Sequence, residues 1–130
     1  MHHQLQIRVY YEDTDFSGRV YHASYLRFME RGRTEWLRAS GFENGALSSG
    51  LGLVFVVRSL RIDFLAPALM DDIVMVETRV ASSRGAIIEF EQVLSRAETI
   101  LSNATVRLVT LRGSRPVRPP RELVAHREAS

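Results

Sequence analysis

Two aspartates, a glycine, a histidine and a tyrosine fall within one short run: Asp13-Thr14-Asp15-Phe16-Ser17-Gly18-Arg19-Val20-Tyr21-His22-Ala23-Ser24-Tyr25. Helical spacing begins at Ala23, so Asp15 and Gly18 stand just ahead of a helix start. The first amides of a helix have no carbonyl partner inside it and carry roughly +0.5 of a charge from the macrodipole. A carboxylate beside them is a base or nucleophile next to a site that can hold developing negative charge. That is the minimum equipment for acyl transfer. The same spacing also suits a turn in which Asp13 and Asp15 merely satisfy backbone donors, as acidic residues ahead of helices commonly do. Spacing alone leaves both readings open.

The elements that must hold this run are legible on either side of it. Residues 4–11 alternate, with Leu5, Ile7, Val9 and Tyr11 on one face and Gln4, Gln6, Arg8 and Tyr10 on the other, which predicts a half-buried strand. From Ala23, the residues Tyr25, Phe28, Met29, Gly32 and Trp36 form one helical stripe. Arg31 and Glu35 are spaced to pair across a turn, and Gly41 is a stop signal. A Gly- and Ser-rich loop follows over 41–52, with a short helical turn expected near 44–48. Further strands are expected over 53–65 (closed by Pro67), 73–81, 86–95 and 100–111, with a turn at Ser82-Ser83-Arg84-Gly85. Short connections after Ala81 and Ser95 imply antiparallel hairpins. Residues 113–130 read as a basic, proline-containing tail with a short helix near 122–126.

One long helix with about five antiparallel strands is an α+β pattern, and 130 residues suit one domain spanning 1–130. The 45% hydrophobic and 25% charged content is that of an ordinary globular domain. No apolar run approaches the roughly 20 residues that span a bilayer, and the start Met1-His2-His3-Gln4 lacks a signal-peptide core. The expected location is the cytoplasm, with the periphery of the inner membrane as a variant. The absence of cysteine excludes disulfides, thiolate metal sites and Cys nucleophiles. All 17 basic residues are Arg, as genomic base composition would produce. From Arg112 onward five Arg face two Glu, but no nucleic-acid motif accompanies them.

The run from Asp13 to Tyr25 resembles the signature of the 4-hydroxybenzoyl-CoA thioesterase family. From Tyr10 to Leu37 it is similar to the YbgC-type branch associated with the Tol-Pal envelope system. The resemblance implies a hotdog fold: a five-stranded antiparallel sheet wrapped around one long central helix. It implies a homodimer or homotetramer whose sheets join edge to edge, with active sites at the interface. It implies an acyl-CoA thioesterase needing neither metal nor organic cofactor. Asp15 falls at the family's catalytic carboxylate, acting as general base toward water or as nucleophile on the thioester. His22 falls where the backbone amide points at the thioester carbonyl. Gly18 permits strained backbone geometry and leaves room for the thioester. Asp13 reads as structural.

Tyr25 is a candidate for the acyl pocket, although its place on the helix stripe equally suits the core. Arg58 and Arg84 are candidates for the coenzyme A phosphates, with Arg112 and Arg115 as further options. Glu30 and Glu35 have Arg neighbours at pairing distance and read as a solvated ion-pair face. No Gly-x-Ser-x-Gly run occurs, and the four His have no metal-ligand spacing. A different class of function stays open: a binding module for acidic acyl-carrier protein or envelope machinery, docked through the basic tail. A dehydratase of the same fold is a third reading. The resemblance to the YbgC-type branch implies aliphatic substrates over 4-hydroxybenzoyl ones, and Leu53 to Val57, if it lines the acyl channel, offers no partner for a phenol hydroxyl.

Overall fold

The computed structural model describes residues 3–42, 50 and 52–124. In chain order these are β1 (His3–Arg8), a 3-10 turn (Tyr11–Asp13), α1 (His22–Ala39), β2 (Leu53–Phe64), β3 (Ile73–Arg84), β4 (Ile87–Arg96), β5 (Thr99–Arg112), β6 (Arg115–Pro116) and α2 (Arg121–Val124). The strands form one antiparallel sheet in the order β1-β3-β4-β5-β2, with β6 added beside β5. This is the expected hotdog arrangement of five long strands and a central helix, plus a sixth strand of two residues. The helical turn expected near 44–48 lies outside the described residues.

Period-2 alternation turns one sheet face toward α1. Val74, Val76, Thr78 and Val80 of β3 are buried, as are Ile88, Phe90, Gln92 and Leu94 of β4. Register carries the rows across strands: Val80 pairs with Phe90, Phe90 with Val106 and Val106 with Leu60. Against this face α1 sets Tyr25, Phe28, Met29, Gly32 and Trp36, the stripe read from the sequence, and also Leu37. Phe28 and Met29 are fully buried, each worth about 1.5–3 kcal/mol by removal from water.

The helix comes close to the sheet at Gly32. A Cβ there would stand 2.6 Å from Val76 Cγ1 and 2.8 Å from Thr78 Oγ1. Beside it, the buried Gln92 Nε2 donates to the Met29 carbonyl at 2.8 Å and to Thr78 Oγ1 at 2.9 Å. Its Oε1 accepts from Arg33 at 3.0 Å. These bonds pin the middle of α1 to β3 and β4.

Some boundaries differ from expectation. β1 ends at Arg8, and Tyr11 lies exposed on the 3-10 turn. β3 continues through Ser82 and Ser83 to Arg84, because a bulge between Val80 and Ser82 absorbs the register shift and Gly85 (φ +60°) makes the turn. Glu35 pairs with Arg38 rather than Arg31, whose guanidinium lies 5.9 Å from the Phe28 ring centre. Gly41 (φ +90°) ends the helix region as expected, its amide bonded to the Arg38 carbonyl. The segment after Gly113 folds back on the domain: Val117 bonds the Thr110 carbonyl, and Leu123 is fully buried.

Candidate active site

The two aspartates of the acidic turn have separate surroundings. Asp13 is buried; its Oδ2 accepts from the Tyr10 amide at 2.9 Å and its Oδ1 lies 3.9 Å from Arg27. Its backbone carbonyl takes the Tyr21 amide. It closes the 3-10 turn and fixes the entry to α1, the structural part expected of it.

Asp15 is exposed at the tip of a narrow loop. Its amide bonds the Arg19 carbonyl and its carbonyl takes the Gly18 amide, while Thr14 pairs with Val20. Gly18 has φ +81°, with no neighbouring atom within 4 Å of where a Cβ would be. Backbone conformation, not crowding, is what calls for glycine there. The loop is tied to the chain after β2: Val20 bonds the Ala68 carbonyl and Met70 bonds the Gly18 carbonyl.

Asp15 Oδ1 accepts from the Ser17 amide at 2.8 Å and from the Ser17 hydroxyl at 2.5 Å. Oδ2 has no partner among the described residues. The Ser17 hydroxyl first, then the Ser17 amide, hold the Asp15 carboxyl below its ordinary value, with weaker help from Arg19. The group is therefore a carboxylate with one tethered and one open oxygen.

Helix α1 starts at His22 without a side-chain cap; Tyr21 is the N-cap, and no acidic residue stands in the first turn. The Ser24 amide bonds back to the Tyr21 carbonyl at 2.8 Å, which leaves the His22 and Ala23 amides for an outside acceptor. Asp15, Arg19, Val20, Tyr21, His22 and Tyr25 line one shallow cleft with residues 64–67, which close its far side. The His22 ring rests on Tyr21 with centroids 4.4 Å apart. Tyr25 is buried, its hydroxyl accepting from the Ala68 amide at 3.0 Å and its ring edge-on to Phe64.

Thus Asp15, His22 and Tyr25 share a cleft, with Gly18 in the loop that carries Asp15. Arg58 and Arg84 do not reach that cleft within one protomer. Arg58 sits at the bulge between Val57 and Ser59 on β2, and Arg84 ends β3. Sequence reasoning gave no role to Ser17, Arg19 or residues 64–67. For Ser17 the signal was present, since a Ser two residues after an Asp commonly bonds it. For residues 64–67 it was not, because only tertiary pairing brings the end of β2 to the start of α1. Among the described residues no group of three His, Cys, Asp or Glu could hold a metal ion, and no helix is long and apolar enough to cross a membrane.

Comparison with known proteins gives this geometry its family. Residues 17–102 match the thioesterase superfamily (4HBT), a span that opens two residues after Asp15. The acyl-CoA thioesterase YbgC of Haemophilus influenzae is 50% identical over 121 residues, covering 92% of this chain and 89% of that protein. The acyl-CoA thioester hydrolase YbgC of Escherichia coli O6:H1 is 42% identical over 122 residues, covering 92% and 90%. A probable thioesterase from Bartonella henselae superposes with a TM-score of 0.88 at 44% identity, covering 92% of this chain and all of the other. On this likeness of sequence and fold, the chain belongs to the thioesterase superfamily, within its YbgC-type branch, and is an enzyme of that family.

Proposed function

We propose that this protein hydrolyses the thioester of acyl-CoA, with Asp15 as the reacting carboxylate and the amides at the start of α1 holding the carbonyl oxygen. The observation that carries this reading is the pairing of a half-tethered carboxylate with an uncapped helix start in one cleft. The family and the YbgC relatives support the substrate class. A carboxylate held below its ordinary pKa is ionised at neutral pH but grips a proton weakly. The open Oδ2 can take a proton from water or attack the thioester carbon; in the second route Oδ2 adds to that carbon. The carbon–sulfur bond then breaks, coenzyme A leaves as the thiolate, and water cleaves the resulting anhydride to return the carboxylate and the free acid.

Two copies joined along β2 complete the proposal. β2 is an outer strand of the sheet, and Val54, Val56, Val57, Leu60 and Phe64 on it are each 40–49% exposed, an edge that calls for cover. Arg58 and Arg84 serve the coenzyme A phosphates only from across such an interface. The location we propose is the cytoplasm. The experiment is coenzyme A release from acyl-CoAs of increasing chain length, with 4-hydroxybenzoyl-CoA alongside. Aliphatic substrates are expected to lead; a tenfold or greater kcat/KM preference for the aromatic one would reverse that choice, and no turnover of any would overturn the function.

The exposure of Arg115, Arg118 and Arg121 favours a second reading, docking of an acidic acyl-carrier protein. Because Leu123 is buried, deleting the tail would damage the domain. Reversing these three charges is the cleaner test: carrier-protein binding should fall while acyl-CoA turnover stays, and unchanged binding would remove the role.

A further inference from the structure

A second cavity, of about 220 Å3, lies over the other half of α1. The sheet and α2 give it an apolar side, Phe55 and Val57 of β2, Ile88 and Phe90 of β4, Leu108 of β5 and Leu123 of α2, while Glu30, Arg33 and Thr34 of α1 give it a polar one. It shares no lining residue with the Asp15 cleft. From Tyr25 to Trp36 the helix axis rises roughly 16 Å.

Two polar groups at this cavity are under-used. Trp36 is 2% exposed, and its indole Nε1 is buried with no hydrogen-bond partner. Leaving such a donor unpaired costs about 1–3 kcal/mol. Arg33 also lines the cavity, and its hydrogen bond goes to Gln92 Oε1. No carboxylate among the described residues lies within ion-pair distance of it. Burial draws its pKa down from the ordinary value, and the charge of Glu30 on the rim opposes this only in part. Guanidinium has five donors in a planar fork, suited to a carboxylate.

We propose that this cavity binds a small organic carboxylate, its apolar body among Phe55, Ile88, Phe90 and Leu108 and its head accepting from Arg33. The volume is below the roughly 300–1,000 Å3 of ordinary ligand pockets, which limits the body to a short chain or one ring. Both the acid released by thioester hydrolysis and an unrelated small acid have this chemistry.

Trp36 is the only tryptophan in the chain, so intrinsic fluorescence reads the cavity directly. The purified protein is titrated with hexanoate, octanoate, benzoate and, as a neutral control, 1-hexanol. A saturable change is expected, at least tenfold tighter for hexanoate than for hexanol and preserved in Asp15→Asn. In Arg33→Met the preference for carboxylate should vanish while hexanol binding persists. Affinity peaking at the acid whose CoA thioester is turned over fastest assigns the site to the reaction's product; a peak at another acid assigns it to an outside carboxylate. No saturable response, equal affinity for hexanoate and hexanol, or loss of the response in Asp15→Asn would each overturn the proposal. If Arg33→Met fails to fold, the acid-against-alcohol comparison in the unaltered protein still decides.

Discussion

The start and the middle of α1 are built on opposite principles. At the middle, Gly32 lets the helix backbone press on Val76 and Thr78, and the side chain of Gln92 bonds to the Met29 carbonyl, Thr78 and Arg33. Every polar atom of the Gln92 side chain is used. At the start, no side chain caps the helix, and the nearby Asp15 keeps one oxygen open. The difference teaches how such a site is afforded. A helix clamped along its buried stripe can leave the His22 and Ala23 amides without partners, where the proposed chemistry needs them.

The comparison breaks most severely at the clamp. Gly32→Ala forces a methyl to within 2.6 Å of Val76 Cγ1 and 2.8 Å of Thr78 Oγ1, both packed against the core. We expect a loss of about 1–3 kcal/mol, read as a lower denaturant midpoint with an unchanged slope. An unchanged midpoint would mean that the helix can lift off the sheet at little cost. Gly18→Ala comes next. Its φ of +81° is costly for alanine, although nothing crowds the site, so about 1–2 kcal/mol of strain is expected. Calorimetry should show a modest drop in Tm, with a larger fall in turnover as the Asp15 loop shifts. Unaltered turnover would show that the loop geometry is not critical.

Ser17→Ala is the smallest change and sharpens the comparison from the open end. Ser17 holds the Asp15 pKa below its ordinary value, so the wild-type carboxylate stays ionised until the pH falls through that lowered value. Any stability from this contact is present above the unfolded pKa and is lost as pH falls through the folded one. The exposure of Asp15 keeps it small. Without the hydroxyl, the acid limb of the pH–rate profile should move upward, toward the ordinary Asp range. A limb that stays in place would separate Ser17 from the titration of Asp15.

The clamp was more legible in the sequence than the site. Tyr25, Phe28, Met29, Gly32 and Trp36 announce their stripe because helical period is a local property. The ends of β1 and β3 were misread for equally local reasons. Alternation runs past Arg8 to Tyr11, but the Asp13 carboxylate captures the Tyr10 amide and curls the chain. Ser82 and Ser83 look like a turn, yet the bulge after Val80 keeps them in the ladder. β6 was missed because two residues, one of them a proline, give no periodic signal. The resemblance pointed to Asp15 and His22, but the cleft they share with residues 64–67 depends on strand order. That order brings together parts of the chain some 40 residues apart, which no spacing rule reveals.

The central claim is that the open end of α1 performs the chemistry while the clamp carries the fold. It is tested most directly by measuring kcat and the unfolding midpoint of Asp15→Asn on the same preparation. Asparagine keeps the shape of Asp15 and can still accept from Ser17, but it loses the charge. The account predicts that kcat falls by about 10²-fold or more while the midpoint stays within error of the wild type. Near-normal kcat, or a fall in activity matched by a collapse in stability, would contradict it.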